Sequence, residues 1–514
     1  GMSGPIYCRF LQQVVRQPDK TALVAVGGAD SYRQLYQAVE ACSVQLAAWG
    51  LQKGDHLGVL LPNCREFVVL MLAAARMELV LVAHSMSLGA RALSTVFEHT
   101  RVRHCVIWHA RLRDLESAFE GSGLAWFVVG GQKEGYPYLE LEGEGEAEPA
   151  YVPQISQDDD DTSYILTLTS GSTGDPKPII LSQQTKIARA QSAIEAYGLT
   201  EQDVIVAATP LYHSLAERLV LLPLMTGATC VLQSHFTAER WLDDVERYGV
   251  TFSIIVSTQV RRIIEYCQAS DRRLPATLKT LVSSSEQLSV NSKASVLDLL
   301  PGRFHECYGA SEVATVTDLN TNANPEKWAS VGLPMPGVDL RIVNFEGKTA
   351  SVGESGEIEV CTPLAFSGYY ERQEETAAAY HGDYFRTGDL GYLDEDGFLY
   401  FLGRKKHTII TGGINVYPRD IEDLISNDPD VRDCAAFAVP DPVLGEAVAV
   451  AVVADNLDSR LIRSLRLLCA RELSDYQQPR RLYRFEEIPR SGLSKVDRLA
   501  IEKIASQMKP VFEV

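Results

Sequence analysis

The sequence predicts an α/β protein: a large N-terminal domain of mixed sheets with packed helices, a β-rich subdomain following it, and a small α+β C-terminal domain. Three observations carry this. Short β-branched runs alternate with amphipathic helical stretches through the first half of the chain, the pattern of parallel strands covered by helices. Glycine-punctuated strand segments follow, and beyond Arg404 the chain takes on βαβ character. A length of 514 residues also asks for two or three domains rather than one.

In order, Tyr32, Leu35, Val39, Cys42 and Leu46 recur at helical spacing, and Gly50 closes that helix before a strand from His56 to Leu61. Arg65 to Met77 read as a further helix, leading to a strand from Leu79 to Ala83. Residues 131–162, with "GEGEAEP" and "QDDDD", are acidic and rich in turn formers, a solvated connection between subdomains. Ile165 to Leu168 then end a buried strand and break into Thr169-Ser170-Gly171-Ser172-Thr173-Gly174-Asp175-Pro176-Lys177. Backbone N–H groups, the hydroxyls of Thr169, Ser170, Ser172 and Thr173, and the Lys177 ammonium are the donors that can hold a polyphosphate, with Gly171 and Gly174 freeing the backbone to wrap it. Asp175 and Pro176 separate the last glycine from the lysine, so this is not the GxxxxGK[ST] loop. Val250 to Val256 predict another strand, as do Gly353 to Val360 and Pro363 to Tyr370. Tyr308-Gly-Ala-Ser-Glu312, taken alone, is a turn before a helix. Asp396-Gly397 is the turn of a hairpin that ends at Arg404. Segments 434–441 and 447–455, with helices around Leu461 to Arg471, supply the C-terminal βαβ pattern.

A net charge of −19 leaves no basic field for nucleic acid. No apolar run reaches membrane-spanning length, and Gly1-Met2-Ser3-Gly4, where Gly1 reads as a cloning remnant, has neither the basic nor the apolar region of a secretory leader. Ten scattered cysteines without a CxxC pair read as reduced core thiols, so a cytoplasmic protein is expected.

Six motifs stand in a fixed order: Leu166 to Lys177, Tyr308 to Glu312, Tyr384 to Leu390, Gly403 to Lys406, Thr411 to Pro418 and Ser494 to Arg498. In order and approximate spacing they resemble those of the adenylate-forming superfamily of acyl- and aryl-CoA ligases, luciferases and stand-alone adenylation enzymes, over about residues 10–505. In style they are most similar to acyl- and aryl-CoA ligases. The resemblance implies an N-terminal domain over 1–403 and a mobile lid over 404–514, hinged near Lys406. It implies ATP, Mg²⁺ and CoA, or the phosphopantetheine of a separate acyl carrier protein, as reactants and cofactor, and a small-molecule carboxylic acid as substrate.

Residue by residue, the resemblance places Ser284, Ser285 and Glu286 in the adenine loop, with serines where glycines are usual. Tyr308 and Gly309 would flank adenine, Ser311 the α-phosphate, and Glu312 would hold Mg²⁺. Asp389 would accept the ribose hydroxyls, Arg404 would reach nucleotide oxygens, and Gly412 and Gly413 would line the acceptor tunnel. Lys495 would bridge the substrate carboxylate and the α-phosphate, and His213 would stand where that carboxylate enters. Tyr212, Ser214 and Ser257 would line the acid pocket. Amino-acid-activating relatives carry an acidic residue where this chain has Ser214, so an acid without an α-amine is expected. Glu217 and Arg218 are charges where the family is apolar; they pair with each other on a helix surface, or one contacts a polar substrate. Ser257 in place of proline, His407 in place of an acid and Ser494 in place of glycine also depart from the pattern. The alternatives are an acyl-AMP ligase that loads a separate carrier protein, neither end having room for an appended one, and a degenerate nucleotide-binding protein without catalysis.

Overall fold

The computed structural model describes residues 4–142, 148–151, 154, 162–168, 177–492 and 494–514. Two sheets form the body. In the first, strands Ala125–Val129, His104–Trp108, His56–Leu60, Val80–Ala83 and Ser163–Leu168 lie side by side in parallel, and Pro178–Ser182 closes the edge antiparallel to Ser163–Leu168. The Ser/Thr/Gly stretch that lies between these two strands in the sequence is outside the described residues. In the nine-stranded second sheet, Val204–Ala207, Thr229–Leu232, Phe252–Val256, Thr280–Ser284 and Arg303–Ala310 run parallel, with antiparallel strands at both edges. The expected parallel sheets are thus present, closed by antiparallel edges.

Helix Arg65–Met77 shows why the sequence packs this way. Its residues Phe67 through Ala75 are all buried, because it is covered by helices Pro5–Arg16 and Tyr32–Ala48. A helix apolar all round has no solvent face to keep polar. Each large side chain buried there contributes about 1.5–3 kcal/mol. Helix Tyr32–Ala48 starts at a capping box, Ser31 accepting from the Gln34 N–H and Gln34 from the Ser31 N–H.

The β-rich subdomain is an antiparallel sheet of Asp339–Val343, Gly356–Cys361, Tyr384–Leu393, Tyr380–His381 and Leu399–Arg404. The hairpin expected at Asp396-Gly397 is there, with Gly397 at φ +84°. Pro363 to Tyr370 is a correction: it forms no strand, only an isolated bridge from Tyr369 to Ile179, because the backbone of Ile180 and Pro178 takes up the segment's groups one at a time. Tyr308 to Glu312 is a second correction. It leads into a hairpin, not a helix, since Ala314–Asn320 returns antiparallel to Arg303–Ala310.

From Ile409 onward the strands form a six-stranded sheet of their own, apart from the two-stranded ribbon of Arg490–Ser491 and Lys495–Val496. Asp433–Asp441 and Gly445–Val453 make a hairpin, and Ser459–Glu472 then crosses over to Arg481–Arg484, parallel to Gly445–Val453. No helix among the described residues is long and apolar enough to cross a membrane.

Candidate active site

A cleft of about 720 Å³ lies between the body and the C-terminal sheet, a size that suits a small-molecule site. It is lined by Lys177, Ser285, Glu286, Tyr308, Gly309, Ser311, Glu312, Asp389, Arg404, Lys406 and Lys495, residues that the sequence spreads over three sheets. Gly309 is required by close approach, since a Cβ there would stand 2.1 Å from the Ala314 carbonyl oxygen across the hairpin. Ser284 ends its strand just outside the lining, and the residues Thr169, Ser170, Gly171, Ser172, Thr173 and Gly174 lie outside the described residues.

Strand register builds one end of the cleft. Asp389 and Arg404 stand directly opposite each other on neighbouring strands, and their side chains meet at 2.9 Å. The Tyr308 hydroxyl donates to the other oxygen of the same carboxylate at 2.6 Å. Burial pushes the Asp389 carboxyl up, and Arg404, then the Tyr308 hydrogen bond, oppose that rise. A carboxylate held this way keeps lone pairs free to accept from two vicinal hydroxyls.

Elsewhere in the cleft, Lys177 immediately precedes strand Pro178–Ser182, faces Glu375 at 3.3 Å and lies over the Tyr369 ring. The hydroxyl of Tyr369 donates to Glu312 at 3.0 Å. Lys406 is pressed down first by burial and then by Arg404 and Lys495, so cations converge on this part of the cleft. Such convergence suits an anion.

Lys495 is held in place by its neighbours. Ser494 sits at φ +69°, a left-handed backbone that a glycine adopts freely and that costs another residue about 1–2 kcal/mol. Its hydroxyl lies 3.2 Å from that of Ser257 and accepts from the Thr258 N–H at 3.0 Å, the start of helix Ser257–Ser270. The next link is the Val496 N–H, donating to Glu286 at 2.7 Å. Two departures from the family pattern, Ser257 and Ser494, therefore face each other. Ser285 shows the same substitution in the adenine loop and also has positive φ, +77°. Glu286 was expected at the nucleotide; here it ties down the Lys495 segment. Arg419, which donates to the Gln287 and Leu288 carbonyls, adds a link that no local sequence signal announces.

His213 caps helix Ser214–Thr226 with its ring 4.4 Å from that of Tyr212. Neither residue lines the cleft, nor do Ser214 and Ser257, but Lys495 is close enough to act on the imidazole. Burial, and after it the Lys495 charge, lower the His213 pKa from 6.5 to about 4. Between those values unfolding takes up a proton that the folded state refuses. The stabilisation is complete above pH 6.5 and is lost as pH falls toward 4. Stability of the wild type is expected to fall over that interval by up to about 3 kcal/mol more than that of His213→Asn, measured by denaturant unfolding at several pH values. Parallel curves would mean a solvated ring.

Glu217 and Arg218 correct the sequence reading. They do not pair with each other on a helix surface. Glu217 is 2% exposed and pairs with Lys186, itself 2% exposed, at 2.5 Å, while Arg218 meets the Thr315 hydroxyl at 3.3 Å. The interhelix pairing of Ser214–Thr226 with Gln183–Tyr197 creates this, and periodicity on one helix cannot show it. Gly412 and Gly413 form the turn between strands Ile409–Thr411 and Ile414–Val416, away from the cleft, where Gly412 faces Leu444.

In the comparison with known families, the AMP-binding enzymes match residues 10–370. The chain belongs to that family. The C-terminal domain of the AMP-binding enzymes matches residues 420–495. The chain is 27% identical over 517 residues to the 2-succinylbenzoate–CoA ligase of Geobacillus kaustophilus, covering 98% of each. It is 29% identical over 491 residues to the sulfoacetate–CoA ligase of Cupriavidus necator, covering 94% of each. The ATP-bound MatB of Rhodopseudomonas palustris has the same fold, with a TM-score of 0.85 at 23% identity, over 98% of this chain and 99% of that one.

Enzymes of this family use ATP with Mg²⁺. Among the described residues no group of three or more His, Cys, Asp or Glu could hold a metal ion. Glu312 lines the cleft and is the residue that would serve as protein ligand to Mg²⁺ carried in on phosphates. In this AMP-binding enzyme, Glu312→Gln is expected to lower the maximal rate about 10²-fold, with a smaller change in ATP affinity. Rates unchanged across a Mg²⁺ titration would take Glu312 out of that role.

Proposed function

We propose that the protein is an acid–thiol ligase that forms an acyl-adenylate from a carboxylic acid and ATP and then passes the acyl group to the thiol of CoA. In the first step a carboxylate oxygen attacks the α-phosphorus, the bond to the β-phosphate oxygen breaks, and pyrophosphate leaves. In the second, the sulfur attacks the acyl carbon, AMP leaves, and the thiol proton passes to solvent. A carboxylate is a poor nucleophile and repels the triphosphate, so the work is alignment and charge neutralisation. Asp389 and Tyr308 orient the nucleoside; Lys177 and Arg404 offset phosphate charge; Mg²⁺ at Glu312 withdraws charge from the phosphates when bound. Lys495 bridges the two reacting groups.

The observation that carries this reading is the docking of Ser494 and Val496 on Thr258 and Glu286, which brings Lys495 into the cleft that holds Asp389 and Glu312. CoA as acceptor is supported by the names of the two ligases above. We further propose that residues 404–514 act as a lid turning near Lys406, which would withdraw Lys495 and bring the Gly412-Gly413 turn to the thiol. The substrate lacks an α-ammonium, since Ser214 offers no charge and its buried hydroxyl has no partner.

Pyrophosphate release from Mg·ATP over a panel of aliphatic, aryl and amino acids, with and without CoA, tests the proposal. Acid-dependent release that CoA accelerates is expected. Release indifferent to CoA would put a carrier protein's phosphopantetheine in its place, and no release with any acid, while ATP binds, would leave a binding protein only.

A further inference from the structure

Behind the turn that carries Glu312 lies a second, small cavity of about 10 Å³, bounded by Arg189, Ser192, Tyr197, Arg218, Ala314 and Thr315. It has room for about one water or one oxygen of an anion. Arg189 is 2% exposed; its Nε donates to the Leu364 carbonyl and its Nη2 to those of Ser311 and Glu312, but its Nη1 is buried without a partner. The Nε of Arg218 is also buried without a partner, and the hydroxyl of Thr315 is the acceptor its Nη1 meets.

The acids nearby are committed to other partners. Lys186, Arg189 and Arg218 share the region with Glu217, which is committed to Lys186, and with Glu312 across the turn, whose carboxylate is engaged by Tyr369. Asp318, the further acid near the cavity, is engaged by the Tyr197 hydroxyl and by His305, so neither guanidinium is paired with a carboxylate among the described residues. Burial and then the like charge of Arg218 act against Arg189, whereas burial is the main influence against Arg218. Holding a cation out of water without a carboxylate is costly, and a hydrophobic residue of similar volume is commonly the more stable choice. Two guanidinium edges facing one cavity are a donor set for a carboxylate or sulfonate, which accepts in the plane of the fork.

Placement ties this cavity to the reaction. His213 starts helix Ser214–Thr226 beside Lys495, and Arg218 lies five residues further along the same helix, a rise of about 7.5 Å. Its side chain leans back toward the helix N-terminus and shortens that span. Ser311 and Glu312 line the nucleotide cleft on one side of their turn and are held by Arg189 from the other. An acid with its reacting carboxylate at Lys495 and its far end along this helix meets Arg218.

Resting on the ligase reading above, we propose that the substrate carries a second anionic group a few atoms from the reacting carboxylate, and that Arg218, supported by Arg189 and Thr315, binds that group. Glu217 and Arg218 would then have different tasks, one closing the helix pair and the other selecting the acid.

The test compares matched acids in the full-length protein: malonate against propionate, succinate against butyrate, glutarate against valerate and isophthalate against m-toluate, each by kcat/KM for pyrophosphate release. At least one dianionic member is expected to exceed its mono-acid partner by about a hundredfold or more. Arg218→Met is expected to collapse that ratio and to raise the melting temperature of the ligand-free protein, and Arg218→Lys to restore part of the ratio. Turnover in which mono-acids equal or exceed every dianionic partner overturns this inference and leaves the ligase reading intact. So does an unchanged ratio in Arg218→Met, or a lowered melting temperature with the ratio kept, which would mark a structural cation. Absence of release with every acid overturns both readings together.

Discussion

Lys495→Ala is expected to slow acyl-adenylate formation by about 10²–10³-fold while leaving the conversion of a supplied acyl-adenylate and CoA to thioester near the wild-type rate. The side chain lies in the cleft with Asp389 and Glu312 and acts on His213, Asp389 and Lys406 through its charge. Deleting it removes the cation that the proposed mechanism uses to bridge the carboxylate and the α-phosphate. Single-turnover pyrophosphate release reads the first half, and thioester formation from synthetic acyl-adenylate reads the second. Neutral substitution should also relieve His213 of a like charge, so its pKa should rise. Equal losses in both half-reactions would mean that Lys495 serves the cleft as a whole.

Asp389→Ala is expected to reduce kcat/KM for ATP by a similar 10²–10³-fold, about 3–4 kcal/mol. Asp389 is 4% exposed, and its two oxygens already organise Arg404 and the Tyr308 hydroxyl. Truncation removes the hydroxyl acceptor and strands two donors, an additional cost to folding of about 1–3 kcal/mol. Asp389→Asn, which keeps one oxygen acceptor, separates the effects: folding should largely recover while ATP affinity stays low. An alanine variant with the wild-type KM for ATP would place the ribose elsewhere.

The parts of this site legible in the sequence are those whose roles sit within a few residues. Tyr308, Glu312, Asp389, Arg404 and Lys495 each stand in a short motif, and one cleft brings all five together. The helices and parallel strands of the body were likewise readable, because burial imposes their periods locally. What escaped depends on partners distant in the chain. Ser257 meets Ser494 across 237 positions, Glu286 meets Val496 across 210, and Glu217 finds Lys186 on another helix rather than its neighbour Arg218. A charge on an apolar helix reads as an anomaly until the facing helix is known. Pro363 to Tyr370 misled for the opposite reason: its composition suits a strand, but the nearest backbone partners belong to the body.

Serine in left-handed backbone at 494 bears on timing. The contorted peptide costs about 1–2 kcal/mol, and the two hydroxyl contacts return about 0.5–1.5 kcal/mol each, so the clasp is close to neutral on its own. On the proposed lid motion, the Ser494 contacts by themselves would favour neither the open nor the shut position. Occupancy of the cleft would then become the deciding weight: the negative charge of the triphosphate would gather Lys495, Arg404 and Lys406, and the departure of pyrophosphate would remove much of that pull. Each turnover would thus carry its own release signal.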